Sequence, residues 1–215
     1  MNISISKQQL AALPPAHFSG SIVVVDTPIA VDSAVEQLRK ANLIGFDTET
    51  RPSFKKGQCY NVSLLQLSGP DACYLFRLNK IGMPEALKNL LEDNNKIKVG
   101  LSLHDDFRNL RKTYDFEPGG FIELQTFVTK WNIIDKSLTK LYGILFGKRL
   151  SKAQRLSNWE ADQLAESQQH YAALDAFACT QIYSHLNEGK FDPQTSPYQT
   201  ENEPQSVNDT NDEKI

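Results

Sequence analysis

Four carboxylates and a phenol, met in a fixed order along the chain, are the residues here whose types and spacing can do chemistry. Asp47 and Glu49 stand in LIGFDTET, Asp106 in VGLSLHDDFRNL, and Tyr171 and Asp175 in HYAALDAFA. Each acid lies at the edge of an apolar element, where a lone carboxylate is costly to bury unless it is paired or bound to a metal. Four carboxylates converging on one spot cannot all ionise without cations. Two divalent metals resolve that conflict, and such a pair is the machinery of phosphodiester hydrolysis.

The bare patterns are weak, and their settings strengthen them. With 26 acidic residues in 215, roughly three acid-x-acid pairs are expected by chance. On an extended chain, however, residues i and i+2 share a face, so Asp47 and Glu49 project together from the end of the strand expected at Leu43–Phe46. Helical phase separates the two neighbouring aspartates. Asp106 lies four before Leu110, on the core side, while Asp105 is rotated toward solvent and reads as a helix cap. Tyr171 and Asp175 are i, i+4 on a helix and share a face, and His170 offers a competing general-base reading. The bland alternatives are a polar strand end, a Tyr–Asp hydrogen bond and a surface histidine.

The elements that must position these groups alternate at first and then turn helical. Strands are expected at Ile22–Asp26, Leu43–Phe46, Val62–Leu67, Cys73–Phe76, Ile97–Gly100 and Phe121–Leu124. Helices are expected at Asp32–Lys40, Pro84–Leu91, Asp105–Tyr114, Leu124–Trp131, Ser137–Phe146 and Ser167–Asn187. The fold class is therefore α/β, with one mixed sheet covered by helices. The segment from Phe191 onward is nearly free of aliphatic residues and reads as a disordered acidic tail.

Composition narrows the setting. Hydrophobic residues make up 40% and charged residues 23%, the balance of a globular domain, and no stretch approaches a membrane span. Cys59, Cys73 and Cys179 lack a CxxC pair, so neither a disulfide framework nor a zinc site is expected, and the chain reads as cytoplasmic. The net charge of −3 hides an asymmetry, because residues 191–215 hold six acids and one Lys. Residues 136–155 hold six cations (Lys136, Lys140, Lys148, Arg149, Lys152, Arg155) and no acid, a stretch fit to follow a phosphate backbone or to form a solvated face.

In order and context the motifs resemble one family. From about Ile22 to Leu186 the chain is similar to the 3′–5′ exonuclease domains of the ribonuclease D and Werner-syndrome exonuclease group, of the DEDD superfamily and ribonuclease H-like fold. GFDTET with NVSLLQLS matches its first motif, VGLSLHDDFRNL the second and HYAALDAFACTQIY the third; SLTKLYGILFGKRL and RLSNWE match the stretch before it. The resemblance implies a ribonuclease H-like mixed sheet of about five to six strands. It divides the chain into an N-terminal extension (1–20), the exonuclease domain (21–190) and the tail (191–215). It implies 3′–5′ hydrolysis of DNA or RNA with release of nucleoside 5′-monophosphates. Asp47, Glu49 and Asp175 would hold one Mg²⁺ or Mn²⁺, and Asp47 would bridge to a second bound by Asp106 largely through water. Tyr171 would mark the DEDDy branch as the group orienting the attacking water. Phe54, Leu67 and Phe107 are candidates to flank terminal bases, and Lys148, Arg149 and Arg155 to contact phosphates. Glu123, where relatives often carry Asp, is expected to cap or support. The partner implied is a nucleic acid with a free 3′ end, with no helicase or other domain expected in this chain. A catalytically inactive nucleic-acid-binding module of the same fold is the alternative, although all four ligands are present.

Overall fold

The computed structural model describes residues 1–201. Eight strands and eight α-helices alternate along it: β1 Asn2–Ile3, α1 Lys7–Ala12, β2 Ser21–Val25, α2 Pro28–Lys40, β3 Leu43–Thr50, β4 Val62–Ser68, β5 Ala72–Phe76 and α3 Leu78–Ile81. Next come α4 Glu85–Glu92, β6 Ile97–Gly100, α5 Leu103–Leu110, β7 Phe121–Glu123, α6 Leu124–Phe127, α7 Leu138–Phe146, α8 Glu166–Asn187 and β8 Gln199–Thr200. Six strands form one mixed sheet in the order β2-β5-β4-β3-β6-β7. The central strand β3 runs antiparallel to β4 and parallel to β6, and β4 pairs antiparallel with β5 across the short connection at 69–71.

Two apolar layers sandwich the sheet, as alternation along the strands requires. On one face, Leu64, Leu75 and Val99 pack with Ala172, Ala176, Cys179 and Ile182 of α8 and with Leu141 and Ile144 of α7. On the other, Phe46, Leu65 and Leu67 pack with Val31, Val35 and Leu38 of α2, Leu87 and Leu90 of α4, and Leu103 and Leu110 of α5. β4 is buried along its whole length, as a strand covered on both faces must be.

Four expectations need correction. β3 does not end at Phe46 but continues to Thr50, so Asp47 and Glu49 lie within a hydrogen-bonded strand. The first twenty residues are not a mere extension: Ile3, Ile5, Ala16 and Phe18 are buried in the α8-side layer, and Pro14 and Ala16 exchange backbone hydrogen bonds with Arg149. The tail expected from Phe191 is ordered at its start, because Phe191 and Tyr198 pack on that same layer and Gln199–Thr200 pair antiparallel with Asn2–Ile3. Residues 202–215 of that expected tail lie outside the described residues. Asp105 is not the cap of α5, which begins earlier, after Ser102 in the left-handed conformation. There the Glu123 carboxylate accepts from the backbone N–H of Ser102 at 3.1 Å and of Leu103 at 2.7 Å.

Candidate active site

β3 carries Gly45, Asp47 and Glu49 on the face that meets α8, and the absence of a side chain at Gly45 permits the approach. A Cβ there would lie 1.9 Å from the Ala176 carbonyl oxygen. With helix and strand this close, Asp175 comes down beside the strand acids, and oxygens of Asp47, Glu49 and Asp175 lie within 4.8 Å of one another. Asp106 is outside that triad. It approaches from the other face of the sheet, from α5, and accepts a hydrogen bond from Thr48 Oγ1, the residue between the two strand acids. Asp105, exposed, pairs instead with Arg108 at 3.1 Å, so the phase distinction between the two aspartates holds in space.

Burial sets the electrostatics. Asp47 is pushed up to about 8, first by desolvation and then by the Asp175 charge, against a hydrogen bond from the Thr48 backbone. Glu49 rises to about 10 by burial, then by Asp47, Asp175 and Asp106, with Arg155 acting the other way. Asp106 rises to about 8, mainly by burial and the nearby Asp47, eased by the Thr48 hydroxyl. Asp175 rises to about 7 by burial, opposed by the Tyr171 hydroxyl and Lys152. The Tyr171 phenol is itself driven up by burial and by the three neighbouring acids, so it keeps its proton.

These donors are all carboxylate oxygens, which Arg155 and Lys152 only partly offset, and an all-oxygen set is the chemistry of a hard divalent ion rather than of zinc. The residues therefore fit such a metal. Beside them a groove of about 570 Å³ is lined by Ser102, Gln125, Lys136, Lys152, Arg155 and Tyr171. A second hollow, of about 380 Å³, reaches Tyr171 and Asp175 from the side of Pro15, His17 and His170.

The other sequence candidates separate in space. Arg155 lines the groove, whereas Lys148 and Arg149 do not, because Arg149 is tied through its backbone to the N-terminal segment. Lys140 is spent on buried Asp135, which also accepts from Ser4 Oγ and the Ile5 N–H, both at 2.9 Å. Leu67 cannot flank a base: its register opposite Phe46 puts it in the core beneath α2, fully buried. Phe107 is half-buried against Phe121, ring centroids 4.8 Å apart, and against Phe46. Phe54 is 82% exposed in the loop after β3. His170 points to solvent and faces Glu166 at 3.6 Å. Sequence reasoning misses Thr48, and it takes Lys152 only as one cation of the basic stretch rather than as a neighbour of Asp175. Alternation puts Thr48 on the face away from its neighbours, and only the fold shows that Asp106 waits there.

Comparison with known proteins agrees with this geometry. A family model described as 3′-5′ exonuclease matches residues 22–189. A mouse protein named bifunctional 3′-5′ exonuclease/ATP-dependent helicase WRN is 33% identical over 185 residues, covering 81% of this chain and 13% of its own length. An Arabidopsis thaliana 3′-5′ exonuclease is 30% identical over 200 residues, 86% of this chain and 69% of its own length. In fold, the chain is similar to Escherichia coli RNase D (TM-score 0.70, 22% identity, covering 80% of this chain and 45% of that one). It is likewise similar to the Aedes aegypti Nibbler EXO domain (TM-score 0.71, 23% identity, covering 83% and 96%). With a ribonuclease D-like sheet and the acidic triad carried on β3 and α8, the chain belongs to the 3′–5′ exonuclease family.

Proposed function

We propose that this chain is a metal-dependent exonuclease that hydrolyses DNA or RNA from a free 3′ end and releases nucleoside 5′-monophosphates. The observation that carries the reading is the triad of Asp47, Glu49 and Asp175, oxygens within 4.8 Å, each carboxyl held above its ordinary range by burial, with like charge adding to the rise at Asp47 and Glu49. Such a cluster is unstable as three anions and becomes stable around a cation. In this reading the triad would hold one Mg²⁺ or Mn²⁺, and Asp106 with Asp47 would hold a second. When bound, the two ions supply acidification of a water and stabilisation of the leaving 3′ oxygen.

The chain's own groups do the remainder. Thr48 fixes the Asp106 carboxylate by hydrogen bond. Tyr171, kept protonated by its surroundings, serves as a hydrogen-bonding orienter of the attacking water and not as a base, which corresponds to the DEDDy branch. Lys152 and Arg155 line the groove, act by charge on Asp175 and Glu49 respectively, and supply positive charge to the phosphodiester chain. Among the described residues no helix is long and apolar enough to cross a membrane. The proposed setting is cytoplasmic, in keeping with Cys59, Cys73 and Cys179 as free thiols.

Digestion of 5′-labelled DNA and RNA, single- and double-stranded, with Mg²⁺, Mn²⁺ or EDTA tests the reading. A ladder shortening from the 3′ end in metal alone is expected. Equal cleavage in EDTA, internal cutting of circles, or binding without hydrolysis overturns it, the last in favour of an inactive binding module.

A further inference from the structure

Directly beneath the carboxylate site lies Gln66, fully buried, with neither Nε2 nor Oε1 paired to any hydrogen-bonding group. Strand register sets it opposite Asp47. Residues so opposed in an antiparallel pair project from one face, with Cβ atoms about 4.5–5.5 Å apart. Leu64, two residues earlier on β4, packs under α8, and alternation places the Gln66 side chain in that same layer. Its neighbour on the other side, Leu75, offers no polar atom.

An unpaired buried amide is rare in folded proteins, because its lost hydration is not returned. Leucine or methionine would fill this layer without that penalty. A glutamine at this position therefore calls for a partner that is not a permanent part of the apolar layer.

The other acids of the site point to what that partner is. Carboxylates that ligate metals are ordinarily held in turn by outer hydrogen bonds. Asp106 has the Thr48 hydroxyl, and Asp175 has the Tyr171 hydroxyl directed at it. Asp47, the acid shared between the two proposed ions, has the Thr48 backbone contact and no side-chain donor of its own. The donor that register places next to it is the Gln66 amide.

We propose that Gln66 is the positioning residue of Asp47: in the cation-loaded site its amide N–H donates to the Asp47 carboxylate and fixes that ligand's orientation. The inference rests on the metal-dependent reading above. It assigns Gln66 a role in holding the cation and none in contact with substrate.

Gln66→Met, which keeps the volume and removes the amide, is the test, with Mn²⁺ affinity read by titration calorimetry and thermal stability read in EDTA. Mn²⁺ affinity is expected to fall about 10–100-fold, while the melting temperature in EDTA holds or rises. Unchanged Mn²⁺ affinity in Gln66→Met, with the unsubstituted chain binding normally, removes this inference and leaves the metal-dependent reading intact. A melting temperature in EDTA that drops sharply overturns it in favour of a packing role. No Mn²⁺ binding by the unsubstituted chain overturns both. A second measurement needs no substitution. The Gln66 side-chain amide, followed by ¹⁵N NMR, shifts and exchanges more slowly on adding Mg²⁺, and an amide that does not respond defeats the proposal.

Discussion

Two parts of this molecule bury charge, and they do so in opposite ways. Lys98 on β6 is fully buried, and its Nζ donates to the carbonyls of Leu90, Asp93 and Lys96 at 2.8–3.0 Å while lying 5.1 Å from the centre of the Phe121 ring. Burial lowers its pKa to about 8, yet every direction the ammonium faces is answered by an acceptor. A short strand away, Asp47, Glu49 and Asp175 are answered by one another. The same sheet that satisfies a cation with backbone oxygens gathers three carboxyls whose donors, the Thr48 backbone and the Tyr171 hydroxyl, are too few to offset burial, so all three are held above their ordinary range. A buried charge with its partners is architecture; a buried cluster without them is a site that something else completes.

Substitution in both places breaks this comparison if it is wrong. Asp47→Asn should cost about 10³-fold or more in kcat, the loss of roughly 4 kcal/mol of transition-state stabilisation, while the melting temperature in EDTA rises as repulsion is relieved. Lys98→Met should do the reverse. It leaves three carbonyls unpaired and costs on the order of 3 kcal/mol of stability, with kcat per folded molecule unchanged. Denaturation curves and steady-state rates on the two variants decide it.

Tyr171→Phe should lower kcat by roughly 10²-fold, with KM and metal affinity nearly unchanged, since the hydroxyl acts mainly in the transition state. His170→Ala should stay near the unsubstituted rate. A dead His170→Ala beside an active Tyr171→Phe would move the water-orienting role to the histidine.

The pH dependence of the metal-free protein sharpens the contrast. The four acids have folded values of about 7 to 10, above their unfolded values near 4. Raised carboxyl values mean that the native state binds more protons than the unfolded one. The associated stability is full below about pH 4, shrinks as pH rises, and is gone once pH passes the folded values. A net shift of even two units, about 2.7 kcal/mol, lowers the melting temperature by roughly 5–10 °C. Thermal melts in EDTA from pH 5 to 9 should show that decline, and Mg²⁺ or Mn²⁺ should flatten it. A flat profile in EDTA would mean that the carboxylates are already paired.

The smallest effect expected is in the groove. Lys152→Ala and Arg155→Ala should each raise KM a few-fold and lower the salt dependence of binding by close to one unit per phosphate contact. Lys148→Glu with Arg149→Glu, away from the groove, should change it little. Titrations at several salt concentrations separate the two pairs.

The site was largely legible before folding because its groups obey local periodicities. Period two put Asp47 and Glu49 on one face, period 3.6 chose Asp106 over Asp105, and the i, i+4 step joined Tyr171 to Asp175. What stayed hidden depends on contacts distant in sequence. Glu123 caps a helix that begins twenty residues earlier, and Pro14 and Ala16 grip Arg149. Leu67 reads as pocket wall or, as leucines near a sheet more often are, as core, and its pairing with Phe46 assigns it to the core. Asn2–Ile3 and Gln199–Thr200 lack apolar periodicity because they are short straps laid over a surface that other elements create.

Those straps carry a kinetic consequence. Thr200 donates to the Asn2 carbonyl at 3.2 Å across 198 positions, with β1 and β8 sharing two residue pairs. Closing so long a loop in an unfolded chain costs roughly 4–5 kcal/mol of entropy, far more than two residue pairs return. The contact therefore forms only after the sheet and α8 have shortened the effective loop, since among the described residues β8 follows every other element in chain order. The clasp belongs to the end of folding and to the low-stability end of native fluctuation. Its amides should exchange with solvent long before those of β3 and β4.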